Sequence, residues 1–237
     1  MKKSFVILLF IIGFTGLNAQ INQFDANGKR HGLWRKNYPN GNLKYTGKFN
    51  HGKEIGTFKH YSITDSKQPI IIRVFKTNSN VAKVTFYNLN GNIESQGNMQ
   101  GKNKIGKWIY FHKDGESVMI EENYTNGKLE GAYKTFYPDG KPTVIAHYKN
   151  GKLEGKYLRY SIKNKVYEDF TYHLGKLNGH AIYYDRRTGE KLEEGDYKNG
   201  VKIGIWKFYI DGQYTGSVDM DAENDKLSKL IKSKSKN

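Results

Sequence analysis

The sequence predicts an all-β fold, an elongated open antiparallel meander of about eight two-stranded repeats with a short C-terminal helix. Three observations predict it. The string Asn-Gly-Lys, or a close variant, recurs about every 24 residues. A second turn signal falls about 13 residues after each, and no stretch between residues 24 and 218 sustains a helical period over ten residues. Asn-Gly and Asp-Gly between short aromatic or β-branched segments are strong hairpin signals, because their turns need the positive φ that glycine and asparagine tolerate cheaply. Two turns per repeat mean two strands per repeat.

Residues 1–19 read as a secretory signal peptide. Lys2 and Lys3 form a positive start, Phe5 to Leu17 is a mostly apolar run of 13 residues, and Ala19 offers a small residue for cleavage. At ~1.5 Å per residue that run spans ~20 Å, short of a ~30 Å bilayer core, so the reading is a removed leader, with an uncleaved anchor as the alternative because Leu17 stands where a small residue is usual. Loss of Lys2 and Lys3 takes the formal charge from +16 to +14 for the mature chain, Gln20 to Asn237. The expected location is then the periplasm, the cell surface or the medium.

The repeat domain is expected over residues 20–218. The turn glycines are Gly28, Gly52, Gly101, Gly127, Gly151, Gly175 and Gly200, and the gap of 49 between the second and third holds a worn unit at Thr85-Phe86-Tyr87. Each unit has a second glycine, at Gly32, Gly56, Gly106, Gly131, Gly155, Gly179 or Gly204, and two positions beyond it stands Trp34, Phe58, Trp108, Tyr133, Tyr157, Ala181 or Trp206. Only the Ala181 unit lacks the aromatic. The opposite turns fall at Gly41, Gly91, Gly115, Gly140, Gly189 and Gly212, with Thr64-Asp65-Ser66 and Lys163-Asn164 in the other two units. Gly47, Gly97, Gly195 and Gly216 stand two positions ahead of the residue that closes a unit, so all 24 glycines after residue 19 fall on repeat positions. Such regularity reports backbone geometry.

About sixteen strands at ~4.8 Å each make a ribbon roughly 75 Å long, which must twist or coil. A hydrophobic fraction of 37% also fits a thin, single-layered architecture better than one with a thick core. Alternation in Gly131-Ala-Tyr-Lys-Thr-Phe-Tyr137 puts Tyr133, Thr135 and Tyr137 on one face and Ala132, Lys134 and Phe136 on the other. From Asp219 to Asn237 the glycines stop, acids come first and lysines last, and Leu227, Leu230 and Ile231 make a helical stripe. This tail reads as a helix capping the open edge of the last strand, as open sheets need, or as a basic tail touching a partner.

Units such as Tyr124-Thr-Asn-Gly127-Lys-Leu-Glu-Gly131-Ala-Tyr133 and Tyr148-Lys-Asn-Gly151-Lys-Leu-Glu-Gly155-Lys-Tyr157 resemble MORN repeats in their bacterial variant form. The resemblance covers residues 24 to about 218. It implies a β-repeat interaction module without catalysis. The tryptophan here follows the second glycine, whereas the eukaryotic repeat carries it close to the first. The bacterial group is often catalogued as YwqK-type antitoxin, which implies a neutralising protein as an alternative.

The absence of cysteine removes disulfides, thiolate metal sites and cysteine nucleophiles. Gly101-Lys-Asn-Lys-Ile-Gly106-Lys107 mimics a phosphate loop, but Trp108 stands where Ser or Thr should hold magnesium, and a strand is expected where a helix is required. His31, His51, His60, His112, His147, His173 and His180 show no metal-ligand spacing. Glu121-Glu122 and Glu193-Glu194 point to opposite faces of a strand and cannot flank one bond. The reading is therefore no enzyme, no cofactor and no metal. One charge pattern stands out. Lys29, Lys53, Lys102, Lys128, Lys152 and Lys176 each follow a turn glycine and Lys202 comes one place later, so a meander lines them along one edge as a candidate anion-binding row, partly cancelled by Glu54, Glu130 and Glu154. The partner read from the sequence is an envelope protein, or alternatively an envelope polyanion such as lipopolysaccharide, acidic polysaccharide or anionic lipid. Export argues against nucleic acid.

Overall fold

A computed structural model describes residues 20–234, so the predicted leader at residues 1–19 lies outside the described residues. A single antiparallel sheet of 19 strands runs in chain order, each strand pairing with its sequence neighbours except that Val118–Thr125 also pairs with Gly131–Phe136 and Val166–His173 with Gly179–Tyr184, each across a two-residue strand. After the two-residue β1 (Gln23–Phe24) come β2 (Arg30–Asn37), β3 (Leu43–Asn50), β4 (Lys53–Tyr61), β5 (Pro69–Phe75), β6 (Val81–Tyr87), β7 (Ile93–Gln100), β8 (Asn103–Phe111) and β9 (Val118–Thr125). The second half holds β10 (Lys128–Leu129), β11 (Gly131–Phe136), β12 (Pro142–Lys149), β13 (Lys152–Tyr160), β14 (Val166–His173), β15 (Lys176–Leu177), β16 (Gly179–Tyr184), β17 (Lys191–Lys198), β18 (Val201–Ile210) and β19 (Gln213–Asp219). The helix α1 (Met220–Lys234) ends the described chain. Because β10 and β15 are only the detached starts of β11 and β16, the sheet is eight hairpins plus β1.

The repeated turns are built as their residues require. Asn126-Gly127, Asn150-Gly151 and Asn199-Gly200 have positive φ at both positions, +51 to +52 at the asparagine and +79 to +88 at the glycine, as in the type I′ turns that match strand twist. Leu174, φ +51, holds the asparagine place before Gly175 without being suited to it. Turns on this edge are tied to one another. The amide N–H groups of Gly52, Gly127, Gly151, Gly175 and Gly200 donate to the carbonyls of Arg30, Lys104, Leu129, Leu153 and Leu177, each just past the preceding turn, at 2.8–3.1 Å.

Each hairpin is also bulged. The first strand slips register near its far end, as between Lys36 and Asn37, Tyr110 and Phe111, or Thr135 and Phe136. The strict alternation expected for residues 131–137 therefore holds only to Thr135. A second bulge places Gly47, Gly97 or Gly195 opposite the kink made by the positive-φ glycines Gly56, Gly106 and Gly204. Such bulges locally bend the strand and increase its twist, whereas β5 and β6 pair without one.

The core is a thin layer on the inner face of the sheet. Most of its buried members fall in three clusters, around Tyr45, Phe49 and Phe58, around Ala82, Val84 and Trp108, and around Phe170, Ala181, Tyr197 and Trp206. Each end has its own contacts. At the start, Phe24 meets Trp34 edge-on at 5.1 Å and the Trp34 indole N–H donates to the Gln23 carbonyl at 3.1 Å. At the finish, Asp219 caps α1 by accepting from the Asp221 N–H at 3.0 Å. The helix does not cover the edge of β19, as the sequence reading expected. It covers the first half of β18 that β19 leaves unpaired. Asn224 Nδ2 donates to the Lys202 carbonyl at 2.9 Å, and Asp221 Oδ2 accepts from the Gly204 N–H at 3.2 Å. The Lys202 carbonyl corresponds to those of Leu153 and Leu177, so Asn224 supplies the donor that a ninth turn would have given.

Candidate functional site

Strand register lines up one inner row: Trp34, Gly47, Phe58, Arg73, Val84, Gly97, Trp108, Glu122, Tyr133, Ala146, Tyr157, Phe170, Ala181, Gly195, Trp206 and Val218. Large and small residues alternate along much of it. The rings of Phe58, Trp108 and Trp206 lie flat on Gly47, Gly97 and Gly195, where a β-carbon would overlap the ring. Tyr157 faces Ala146. In the unit with no aromatic at the ring position the sizes are exchanged, with Phe170 on the earlier strand and Ala181 fully buried on the later one. The missing aromatic at position 181 is therefore a volume swap.

Two positions before each second glycine the residue choice follows the ring. The units with Trp34, Trp108 and Trp206 carry Arg30, Lys104 and Lys202 there, with the cation 5.0, 4.7 and 3.7 Å from the indole centre. The units with Tyr133, Tyr157 and Ala181 carry Leu129, Leu153 and Leu177. The Phe58 unit has Glu54, which draws Arg73 across to lie 5.7 Å from the Phe58 ring, with the ion pair at 3.0 Å. Lys202 is thereby removed from the predicted edge row. It is half-buried, pairs with Glu193 at 2.8 Å and covers Trp206.

Lys29, Lys53, Lys102, Lys128, Lys152 and Lys176 do lie exposed at the turn edge, without ion-pair partners among the described residues. The acids beside them are structural clasps. Glu130 accepts from the Asn150 N–H at 2.7 Å and Glu154 from the Leu174 N–H at 3.0 Å, each gripping the next turn along. Asp25 and Glu154 also hold His51 and His173, at 2.6 and 2.9 Å. The Lys29 backbone N–H, then His51, keep the Asp25 carboxyl below its ordinary pKa, and the Leu174 N–H, then His173, do so for Glu154.

The network around Glu122 on the inner face is equally internal. Tyr124 donates to it at 2.6 Å, and Lys104 meets Tyr110 beside it. Burial, then Glu122, pushes the Tyr124 phenol up to about 12. Glu121 points the other way and pairs with Lys107 at 2.6 Å. Among the described residues no three His, Asp or Glu groups assemble as a metal site, and no helix is long and apolar enough to cross a membrane.

The surface that sequence reading passed over is the outer face. Arg35, Thr46, Lys59, Ile72, Thr85, Gln96, Ile109 and Glu121 face one another across it in register. Lys48 and Lys83 belong to the adjacent row, opposite Leu33 and Val74. Arg35, Lys48, Lys59 and Lys83 are exposed and have no acidic partner among the described residues. From Lys107 onward carboxylates share the same face, in the Lys107–Glu121 and Lys156–Asp169 ion pairs and the His180–Asp196 contact. The charge boundary was visible only once register told which residues share a face.

Residues 30–51 and 129–150, one unit from each half, match the family model described as MORN repeat variant. No curated protein matches the chain. The molecule is thus a repeat-built β-sheet with units similar to the MORN repeat variant, a class of generally non-enzymatic binding modules.

Proposed function

We propose that the chain is a non-catalytic interaction module of the cell envelope that binds a polyanion through the acid-free part of its outer face. The observation that carries this reading is the set Arg35, Lys48, Lys59 and Lys83, exposed on a rigid sheet and unopposed by any carboxylate. Adjacent strands lie ~4.8 Å apart, so these cations act collectively within the ~10 Å Debye length at 0.1 M salt. The leader-like pattern of residues 1–19 supports an envelope location. The alternative, a protein scaffold gripping its partner over an aromatic face, finds less support. The inner rings are engaged with glycines, cations and one another, and Trp108, Trp206 and Phe58 are at most 1% exposed. An antitoxin-like role has nothing behind it beyond the repeat resemblance.

Residues 20–237 immobilised and exposed to their own envelope extract test the reading. The expected result is retention of an acidic glycan or lipid that elutes as salt rises from about 0.1 to about 1 M, where the Debye length falls to ~3 Å. A single protein held through 1 M salt overturns it in favour of the scaffold.

A further inference from the structure

The ladder of turn-to-turn bonds is broken at one place. In the worn unit the five residues Lys76 to Asn80 replace an Asn-Gly turn between β5 and β6. They close on themselves, with the Ser79 N–H donating to the Lys76 carbonyl at 3.2 Å, and send no backbone bond back to the strand carrying Glu54. The next turn, at Gly101, makes none to this loop either. Where the ladder opens, a cavity of about 990 Å³ lies between the turns at Gly52 and Gly101. Its size is at the upper end of ordinary ligand sites.

The lining has a definite chemistry. Lys53, Arg73 and Lys76 bring three cations against the single carboxylate of Glu54. Arg73 Nη2 donates to Glu54 Oε1 at 3.0 Å and to His60 Nε2 at 2.9 Å, while Nε and Nη1 have no acceptor among the described residues. His60 can accept because burial, then Arg73, holds its imidazole below its ordinary pKa, hence neutral at pH 7. Asn50, Asn78 and Asn80 add amides, and Phe75 and Met99 form an apolar floor. Cations for carboxylates, amides for hydroxyls and a flat apolar surface for C–H faces suit one ligand class.

We propose that this break in the repeat is a binding site for a short carboxylated oligosaccharide, with Lys53, Arg73 and Lys76 taking the carboxylates and the Asn78–Asn80 loop the hydroxyls. The site is separate from the outer face and does not rest on the polyanion reading of that face.

The test uses residues 20–237 with a trimer of α-1,4-linked galacturonate as probe and maltotriose as the neutral control, followed by calorimetry and amide NMR. Binding of the acidic trimer alone is expected, with shifts at Thr77 to Asn80. Lys76→Glu and Asn80→Ala, both in an exposed loop, should each weaken it tenfold or more, while Lys59→Glu on the outer face should leave it within twofold. No saturable binding of the trimer overturns the proposal. So does equal binding of maltotriose, or a loss on Lys59→Glu as large as that on Lys76→Glu. A failure confined to this probe leaves salt-sensitive retention of long polyanions intact, so the two readings fail separately.

Discussion

At the scale of single residues, glycine in this chain has two jobs that one substitution separates. Turn glycines such as Gly151 supply positive φ in open space, whereas Gly97 and Gly195 have extended backbone and are small because an indole lies on them. Gly97→Ala should therefore destabilise by about 3 kcal/mol through overpacking, read as a lowered denaturant midpoint for the surrounding units. Leu174 is the opposite case, a side chain forced to φ +51 and 60% exposed. Leu174→Asn should stabilise by about 1 kcal/mol, the order of the left-handed penalty it relieves. An unchanged or lowered midpoint would show that Leu174 is favoured by a contact of its own. The clasp at the same turn is pH-dependent. Because the Glu154 carboxyl sits below its ordinary 4.5, its grip is fully present above that pH and is lost as pH falls through the lower folded value. The Leu174 amide resonance should titrate with a midpoint under 4.5, and Glu154→Gln should abolish the transition.

At the scale of elements, the hairpins were legible because each is defined locally. An Asn-Gly turn, a positive-φ glycine four or five residues later and a ring two beyond that fix two strands without reference to the rest of the chain. What was not legible depends on which residues face one another across the strands. The pairing of Gly97 with Trp108, the exchange of Phe170 for Ala181 and the rule of a cation over tryptophan and leucine elsewhere all appear once strands are in register. Lys202 illustrates the cost of reading without register. By spacing it joins a lysine row, and by register it is the cation belonging to Trp206. The helix was foreseen and its place was not, since the groups it satisfies are the Lys202 carbonyl and the Gly204 amide rather than the edge of β19. Asn224→Ala removes the stand-in for a ninth turn and should cost about 1 kcal/mol, the net value of one hydrogen bond. It should speed amide exchange across the first two turns of α1 and leave β2 to β9 unchanged. Equal protection in the variant would mean that the helix is held by Met220 and Asp221 alone.

At the scale of the whole molecule, a single sheet with one covered face has only its other face and its edges to offer a partner. The composition gave the excess charge but not its distribution. From Lys107 onward the cations of the outer face are paired with acids or stand opposite them, as Lys134 opposite Glu121 and Lys207 opposite Glu194, and clasps occupy the acids of the turn edge, leaving Arg35, Lys48, Lys59 and Lys83 as one unopposed patch. The most direct test compares two charge reversals of equal size on the same chain. One carries Lys48→Glu, Lys59→Glu and Lys83→Glu on the outer face, and the other Lys128→Glu, Lys152→Glu and Lys176→Glu on the turn edge. Affinity for the polyanion recovered from the envelope would be measured against salt concentration. The outer-face reversal should weaken binding at least tenfold and flatten its salt dependence, while the edge reversal keeps most of both. Parent-like binding by the outer-face variant, with loss in the edge variant, would contradict the account and return the function to the turn lysines.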